Sequence, residues 1–205
     1  MSRIPAFVAL GLAFATPVAA DIPSPSQSVV DPCVVLCPAG DFTLHVLVRG
    51  QAGQIFVNSS VDLEYAACPG FALCAPTGSE PYTHLSGPGF ESVRVVTNLQ
   101  GQAALPVRAG GACPWGSVRV IADGVVIALR ALASPDQNGD AIVGAADLAV
   151  LQTKLGTADP SADLNCDGVV DAADISILNA HSGHACALPT RTGTGTWGRI
   201  KTLYR

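Results

Sequence analysis

Two twelve-residue stretches place acidic and amide side chains at alternating positions: DQNGDAIVGAAD (Asp136 to Asp147) and DLNCDGVVDAAD (Asp163 to Asp174). Calcium is a hard cation that takes six to eight oxygens, and a twelve-residue loop offers them from positions one, three, five, seven, nine and twelve. In the first stretch those positions supply the side chains of Asp136, Asn138, Asp140 and Asp147 and the backbone carbonyl of Ile142. In the second they supply Asp163, Asn165, Asp167 and Asp174, the carbonyl of Val169, and Asp171 at position nine through a water. The chemistry implied is binding of two calcium ions. No other cofactor is expected.

The two loops differ at position six, where a sharp turn favours glycine. The second has Gly168; the first has Ala141, with Gly139 two places earlier. A non-glycine at positive φ costs on the order of 1 kcal/mol, about fivefold in affinity. The first loop also brings three carboxylates against four, so the second site is expected to be the tighter. Position eight is apolar in both (Val143, Val170), which predicts a short β contact between the loops.

Helices must hold these loops. In AADLAVLQTKLG, Leu148, Leu151 and Leu155 recur at helical spacing and Gly156 reads as the C-cap. In AADISILNAHSG, Ile175 and Leu178 do the same, and Gly183 ends the run. The two units are one repeat, offset by 27 residues from Asp136 to Asp163. IALRALASP and GTADPSA precede the loops as strand and turn, so each unit is a loop with an exiting helix only.

From about Gly40 to Leu132 the pattern is strand-like. FTLHVLVR alternates, and VDLEY, SVRVV, QAALPVR and SVRVIA follow between turn residues. Asp123-Gly124 between two apolar runs predicts a tight hairpin, and Asn58-Ser59-Ser60 reads as a turn. Six or seven short strands argue for an antiparallel sandwich. Residues 21–39 form a leader whose polar start, DIPSPSQSVVD, is expected to be mobile; residues 187–205 form a linker and tail ending WGRIKTLYR. Arg3, the apolar Ala6 to Phe14 and Val18-Ala19-Ala20 predict a signal peptide at 1–20, cut after Ala20. A secreted or cell-surface protein follows, and no later run is long enough for a membrane span.

Loss of that segment leaves 10 Lys and Arg against 16 acids, a balance that suits cations and not nucleic acid. Export favours disulfides for the seven cysteines. Cys166 is expected to pair with Cys186 and Cys68 with Cys74 around a stapled loop, with one cysteine left over. Zinc is not expected, because CVVLC has the wrong spacing for a knuckle and histidine partners are scarce. His45 is placed on an exposed strand face, His84 in a loop, and His181 and His184 beside the Cys166–Cys186 bridge. No Ser-His-Asp order, HExxH or nucleophile elbow is present, so an enzyme is not expected.

The strand region resembles bacterial immunoglobulin-like domains of surface proteins, through LVRGQAGQ (Leu47 to Gln54) and TNLQGQAAL (Thr97 to Leu105). Residues 135–186 resemble the type I dockerin domain, an EF-hand-like module of two D-x-N-x-D-G-x-(apolar)-x-x-x-D loops, each followed by one helix. The combined expectation is an immunoglobulin-like β-sandwich over 40–133 plus a small α, calcium-loop module. The dockerin resemblance implies two calcium ions, a fold that depends on them, and docking to a cohesin-like partner through positions ten and eleven. Those positions are Ala145, Ala146, Ala172 and Ala173, where cellulosomal dockerins commonly carry hydroxyl pairs. The function expected is calcium-dependent attachment of an exported protein. The alternatives are a carbohydrate-binding accessory protein of a polysaccharide-degrading system, using Phe71, Tyr82, Phe90 and Trp115, and a purely structural stalk.

Overall fold

The computed structural model describes residues 21–87 and 90–189. The expected signal segment and the WGRIKTLYR tail lie outside these residues. In chain order the elements are β1 (Val29–Val30), β2 (Val34–Val35), β3 (Leu44–Leu47), β4 (Ser60–Glu64), β5 (Ala72–Leu73), β6 (Thr83–Gly87), β7 (Phe90–Val96), β8 (Gln102–Leu105), β9 (Ala109–Gly110), β10 (Cys113–Ala122), β11 (Val125–Ala133), α1 (Ala145–Gln152) and α2 (Ala172–Ala180). β-branched residues with period-two alternation dominate the longer strands, because such side chains pack well on a pleated surface.

One sheet runs β2-β11-β10-β4-β7-β6, a second β1-β3-β8, and β5 pairs with β9. The strand pairs are antiparallel except β2 with β11. The first two sheets share one core: Leu44, Val46, Ala103 and Leu105 from the smaller meet Val61, Leu63, Val93, Val118 and Val120 from the larger. At the β10–β11 turn, Asp123 and Gly124 both have positive φ (44° and 83°), the backbone of a tight hairpin turn of the type that matches strand twist. The Asp123 carboxylate accepts from Ser60 N at 2.8 Å and Ser59 Oγ at 2.6 Å, which fixes the turn to β4.

Several expectations are corrected. The leader is paired and not loose: Val29 and Val30 oppose Leu47 and Val46, and Ser24 is fully buried. Phe42 lies before β3 and packs toward the C-terminal helices. His84 is in β6 and not in a loop, whereas His45 is exposed as expected and meets Asp31 Oδ2 at 3.2 Å. Leu155 falls beyond α1 and is exposed. The cysteine pairings also differ. The bridges are Cys33–Cys166, Cys68–Cys113 and Cys74–Cys186, with Cys37 free and buried. Cys68 and Cys74 do not staple their own loop; each ties it to another segment.

The C-terminal region has its own core of Val143, Leu151, Ala162, Leu164, Val170 and Leu178, with Leu148 and Ile175 against it. Leu151 and Leu178 occupy matching repeat positions, one per helix. The β region contributes to this core through strand alternation. Val34 and Leu36 enter the sheet core while Cys37, with Val35 beside it, enters the helical one. At the end of β11, Leu132 and Ala133 divide in the same way. Successive strand residues point to opposite faces, so one strand edge seals two cores.

Candidate metal centre

Each loop is organised by its first and last carboxylates. Asp136 accepts from the backbone N–H groups of Gly139 (2.9 Å), Asp140 (3.2 Å) and Ala141 (2.9 Å). Asp163 accepts from Asp167 (3.2 Å) and Gly168 (2.8 Å). At position twelve, Asp147 accepts from Asn138 N (3.1 Å) and Gly144 N (2.8 Å), and Asp174 from Asn165 N (3.3 Å) and Asp171 N (2.8 Å). Position twelve is therefore also the third residue of the exiting helix, where an acid reaches back to the N-cap N–H. The loop and the helix start are one hydrogen-bonded unit, which accounts for the absence of an entering helix. In loop two, Asp171 completes the cap by accepting from Ala173 N at 2.7 Å. Gly144 has no side chain to do so.

These residues suit calcium. Every candidate side chain offers oxygen, and a carboxylate oxygen that holds one N–H keeps a lone pair for a cation. Asn138 donates to Asp140 Oδ2 at 3.1 Å, and Asn165 to Asp167 Oδ2 at 2.8 Å, so the two loops hold matching side-chain contacts. Asp136, Asp147 and Asp174 are fully buried, whereas Asp140, Asp167 and Asp171 face solvent. Burial, with Asp147 and Asp140 nearby, pushes the Asp136 carboxyl up to about 6. Its folded value thus lies above its ordinary value, and the folded state holds the proton more tightly. In chelator, stability is therefore expected to rise as pH falls through about 6 toward the ordinary carboxylate range. Thermal melts should show that rise in the native chain, and Asp136→Asn should remove much of it.

The turn strain is shared and not confined to the first loop. Positive φ occurs at positions four and six of both: Gly139 (73°) and Ala141 (69°) in the first, Cys166 (65°) and Gly168 (92°) in the second. Each loop carries one glycine and one non-glycine there, so Ala141 does not by itself weaken its site relative to the other. Position four must be glycine in loop one because a Cβ on Gly139 would meet the Gly70 carbonyl. In loop two, Cys166 is free to bond Cys33. Ala141→Gly is expected to raise stability in chelator by up to about 1 kcal/mol, read from thermal melts, because the strain at Ala141 is a cost of the folded loop itself.

The two position-eight valines do not pair with each other. Val143 N donates to His184 O (2.8 Å) and its carbonyl accepts from Gly183 N (2.9 Å). Val170 N donates to Thr157 O, and its carbonyl accepts from Gly156 N, both at 2.9 Å. Each loop is strapped by the chain leaving the other repeat's helix. Gly156 and Gly183, with φ of 77° and 88°, turn the chain into that position. The 27-residue offset carries this reciprocity, since Gly156 and Gly183 match as Val143 and Val170 do.

The loops also meet the β region. A Cβ on Gly110 would overlap the Asp136 carboxylate, and Gly111 N donates to Asp136 O at 2.7 Å. Ala145, Ala146, Ala172 and Ala173 are all exposed. Of the aromatic candidates for a sugar platform, Trp115 is exposed, Tyr82 is buried, and Phe71 stacks on Tyr65 at 3.9 Å; the Phe90 side chain lies outside the described residues.

A family model, the Dockerin type I domain, matches residues 134–181. That span holds both loops and both helices, and a dockerin segment is thus present beside a mainly β region. Dockerin type I domains bind calcium and attach to cohesins, and they occur in extracellular proteins. No curated protein and no solved structure matches the chain. Among the described residues, no helix is long and apolar enough to cross a membrane.

Proposed function

We propose that the chain is an exported, non-enzymatic protein that binds two calcium ions and uses its dockerin segment to attach to a cohesin-type partner. One ion is assigned to Asp136, Asn138, Asp140, Ile142 and Asp147, the other to Asp163, Asn165, Asp167, Val169, Asp171 and Asp174. The observation that carries this reading is the matching pair of loop–helix units inside the segment that the dockerin model spans. The β region is read as an immunoglobulin-like sandwich, supported by two sheets around one core. Because strain is balanced, Asp171 becomes the main difference between the sites. Loop two is expected to bind more tightly, and Asp171→Gly to bring its affinity toward that of loop one in a calcium titration.

The exposed alanines at positions ten and eleven offer methyl groups to a partner, so the matching face is expected to be apolar. The test is capture of the full secreted chain by a panel of immobilised cohesins in calcium and in chelator. Capture in calcium that is lost in chelator supports attachment. Failure of every cohesin, with calcium still bound, removes the attachment role and leaves calcium binding intact.

A second reading is favoured by the shared core and the two bridges, Cys33–Cys166 and Cys74–Cys186, that run between the regions. Here calcium serves to stiffen a stalk. Under this reading chelation lowers the melting temperature of the β region although no cohesin binds. Sugar binding has less support, with Tyr82 buried and Phe71 stacked.

A further inference from the structure

The cysteine left over from the disulfides has company that its sequence neighbours do not suggest. Cys37 is fully buried and its Sγ lies 3.5 Å from His184 Nδ1. Asp41 Oδ2 lies 3.4 Å from the same nitrogen and 3.1 Å from His181 Nε2. The ligand atoms of Cys37, Asp41 and His184 fall within 4.8 Å of one another. Cys37 and Asp41 flank a turn in which Gly40 N donates to Cys37 O at 2.9 Å, with Gly40 at φ 78°. His181 and His184 belong to the turn that ends α2, where His184 N donates to His181 O at 3.0 Å. Two tight turns from opposite ends of the chain thus face each other.

We infer that Cys37, Asp41 and His184, with His181 against Asp41, form a further metal site, separate from the calcium loops, that takes a zinc-class divalent cation. Three observations support it. The first is orientation. The His181 Nδ1 contact to the Ile177 carbonyl is 2.7 Å, so Nδ1 carries the proton and Nε2 turns its lone pair on Asp41 Oδ2. Two acceptors at 3.1 Å need a proton or a cation between them. A backbone carbonyl on the far nitrogen is also how metal-bound histidines are commonly held.

The second is spacing. Zinc–ligand lengths of about 2.0 Å for nitrogen and oxygen and about 2.3 Å for sulfur give a tetrahedron with edges of about 3.3 Å between N and O and about 3.5 Å between S and N. The separations around His184 Nδ1, 3.4 Å to Asp41 Oδ2 and 3.5 Å to Cys37 Sγ, are edges of that size, and the three ligand atoms lie within 4.8 Å of one another; His181 reaches Asp41 from outside that group. The third is the repeat. At the equivalent positions 27 residues earlier, His181 and His184 correspond to Lys154 and Thr157. The loop–helix fold does not require histidine there.

A thiolate with an imidazole and a carboxylate selects zinc or cobalt over calcium, which prefers oxygen alone. In the metal-free protein, burial pushes the Cys37 thiol up to about 12, so it keeps its proton. Coordination forms the metal–sulfur bond and releases that proton to solvent. His184 and Asp41 are each about one third exposed (35% and 38% of the side chain) and give the ion its entry.

The test is titration of the calcium-saturated full chain, disulfides intact, with cobalt(II). Expected are intense tetrahedral bands and a thiolate-to-cobalt absorption that is lost in Cys37→Ser. His184→Ala, at a partly exposed position, should weaken cobalt by more than about tenfold, the scale of loss that changes around a site produce. Zinc should displace the cobalt without releasing calcium. Weak octahedral bands insensitive to Cys37→Ser would place cobalt in the calcium loops and overturn the inference. So would no uptake at all, which would leave the histidines as polar partners of Asp41.

Discussion

Cys33→Ser combined with Cys166→Ser is expected to lower stability by about 4 kcal/mol. The bridge joins residues 133 apart in sequence. Cys74–Cys186 already connects the same two regions, so the shortest remaining path around the ring is roughly 60 residues. Closing a loop of that length removes about 4 kcal/mol of chain entropy from the unfolded state. Both cysteines must change together, because a single substitution frees a thiol to compete with the bridges. Denaturant unfolding checks the figure, with a higher m-value expected because the unfolded chain is less compact without the bridge. A loss below about 1 kcal/mol would mean that the shared core already holds the regions together without the bridge.

Removal of the position-twelve carboxylate is the second large effect. Asp174 is fully buried and accepts from Leu164 N at 2.7 Å as well as from Asn165 N and Asp171 N. Asp174→Ala leaves the buried Leu164 N–H without its partner, at about 1–3 kcal/mol, and takes the acceptor from the part-buried Asn165 and Asp171 N–H groups at a smaller cost. The expected destabilisation is about 2–4 kcal/mol, together with loss of calcium at loop two. Asp167→Ala separates the two contributions, since Asp167 is exposed. It should weaken calcium at the same loop yet change the melt in chelator by less than about 1 kcal/mol. Equal melts for the two variants in chelator would remove the structural role assigned to Asp174.

The two loops were legible because acidic and amide residues recur at fixed spacing within twelve positions, and the repeat doubles the signal. The helices followed from the same repeat, and the β10–β11 hairpin from Asp123-Gly124. The disulfides were not legible, because Cys33 and Cys166 are brought together only by packing between regions far apart in the chain. Strands β1 and β2 have two residues each, too few to show alternation, so a Pro/Ser-rich leader hid them. The strain argument failed at Cys166. Nothing local marks a left-handed cysteine, and only superposing the two loops shows that it corresponds to Gly139. The meeting of Cys37 and Asp41 with His184 was not legible for a similar reason: only the fold joins a turn at residue 40 to one near residue 183.

The placement of the bridges also decides how the chain would carry a load. A pull that enters through the dockerin segment reaches the β region through the peptide chain at the end of β11 and, through sulfur–sulfur bonds, at Cys33 and Cys74. Cys74 lies next to β5 and Cys33 next to β2, so the force is divided between two separate edges. Hydrogen bonds between the regions, such as Gly111 to Asp136, are thereby shielded from the tension. A tether built in this way stays short under drag until a covalent bond or a whole sheet gives.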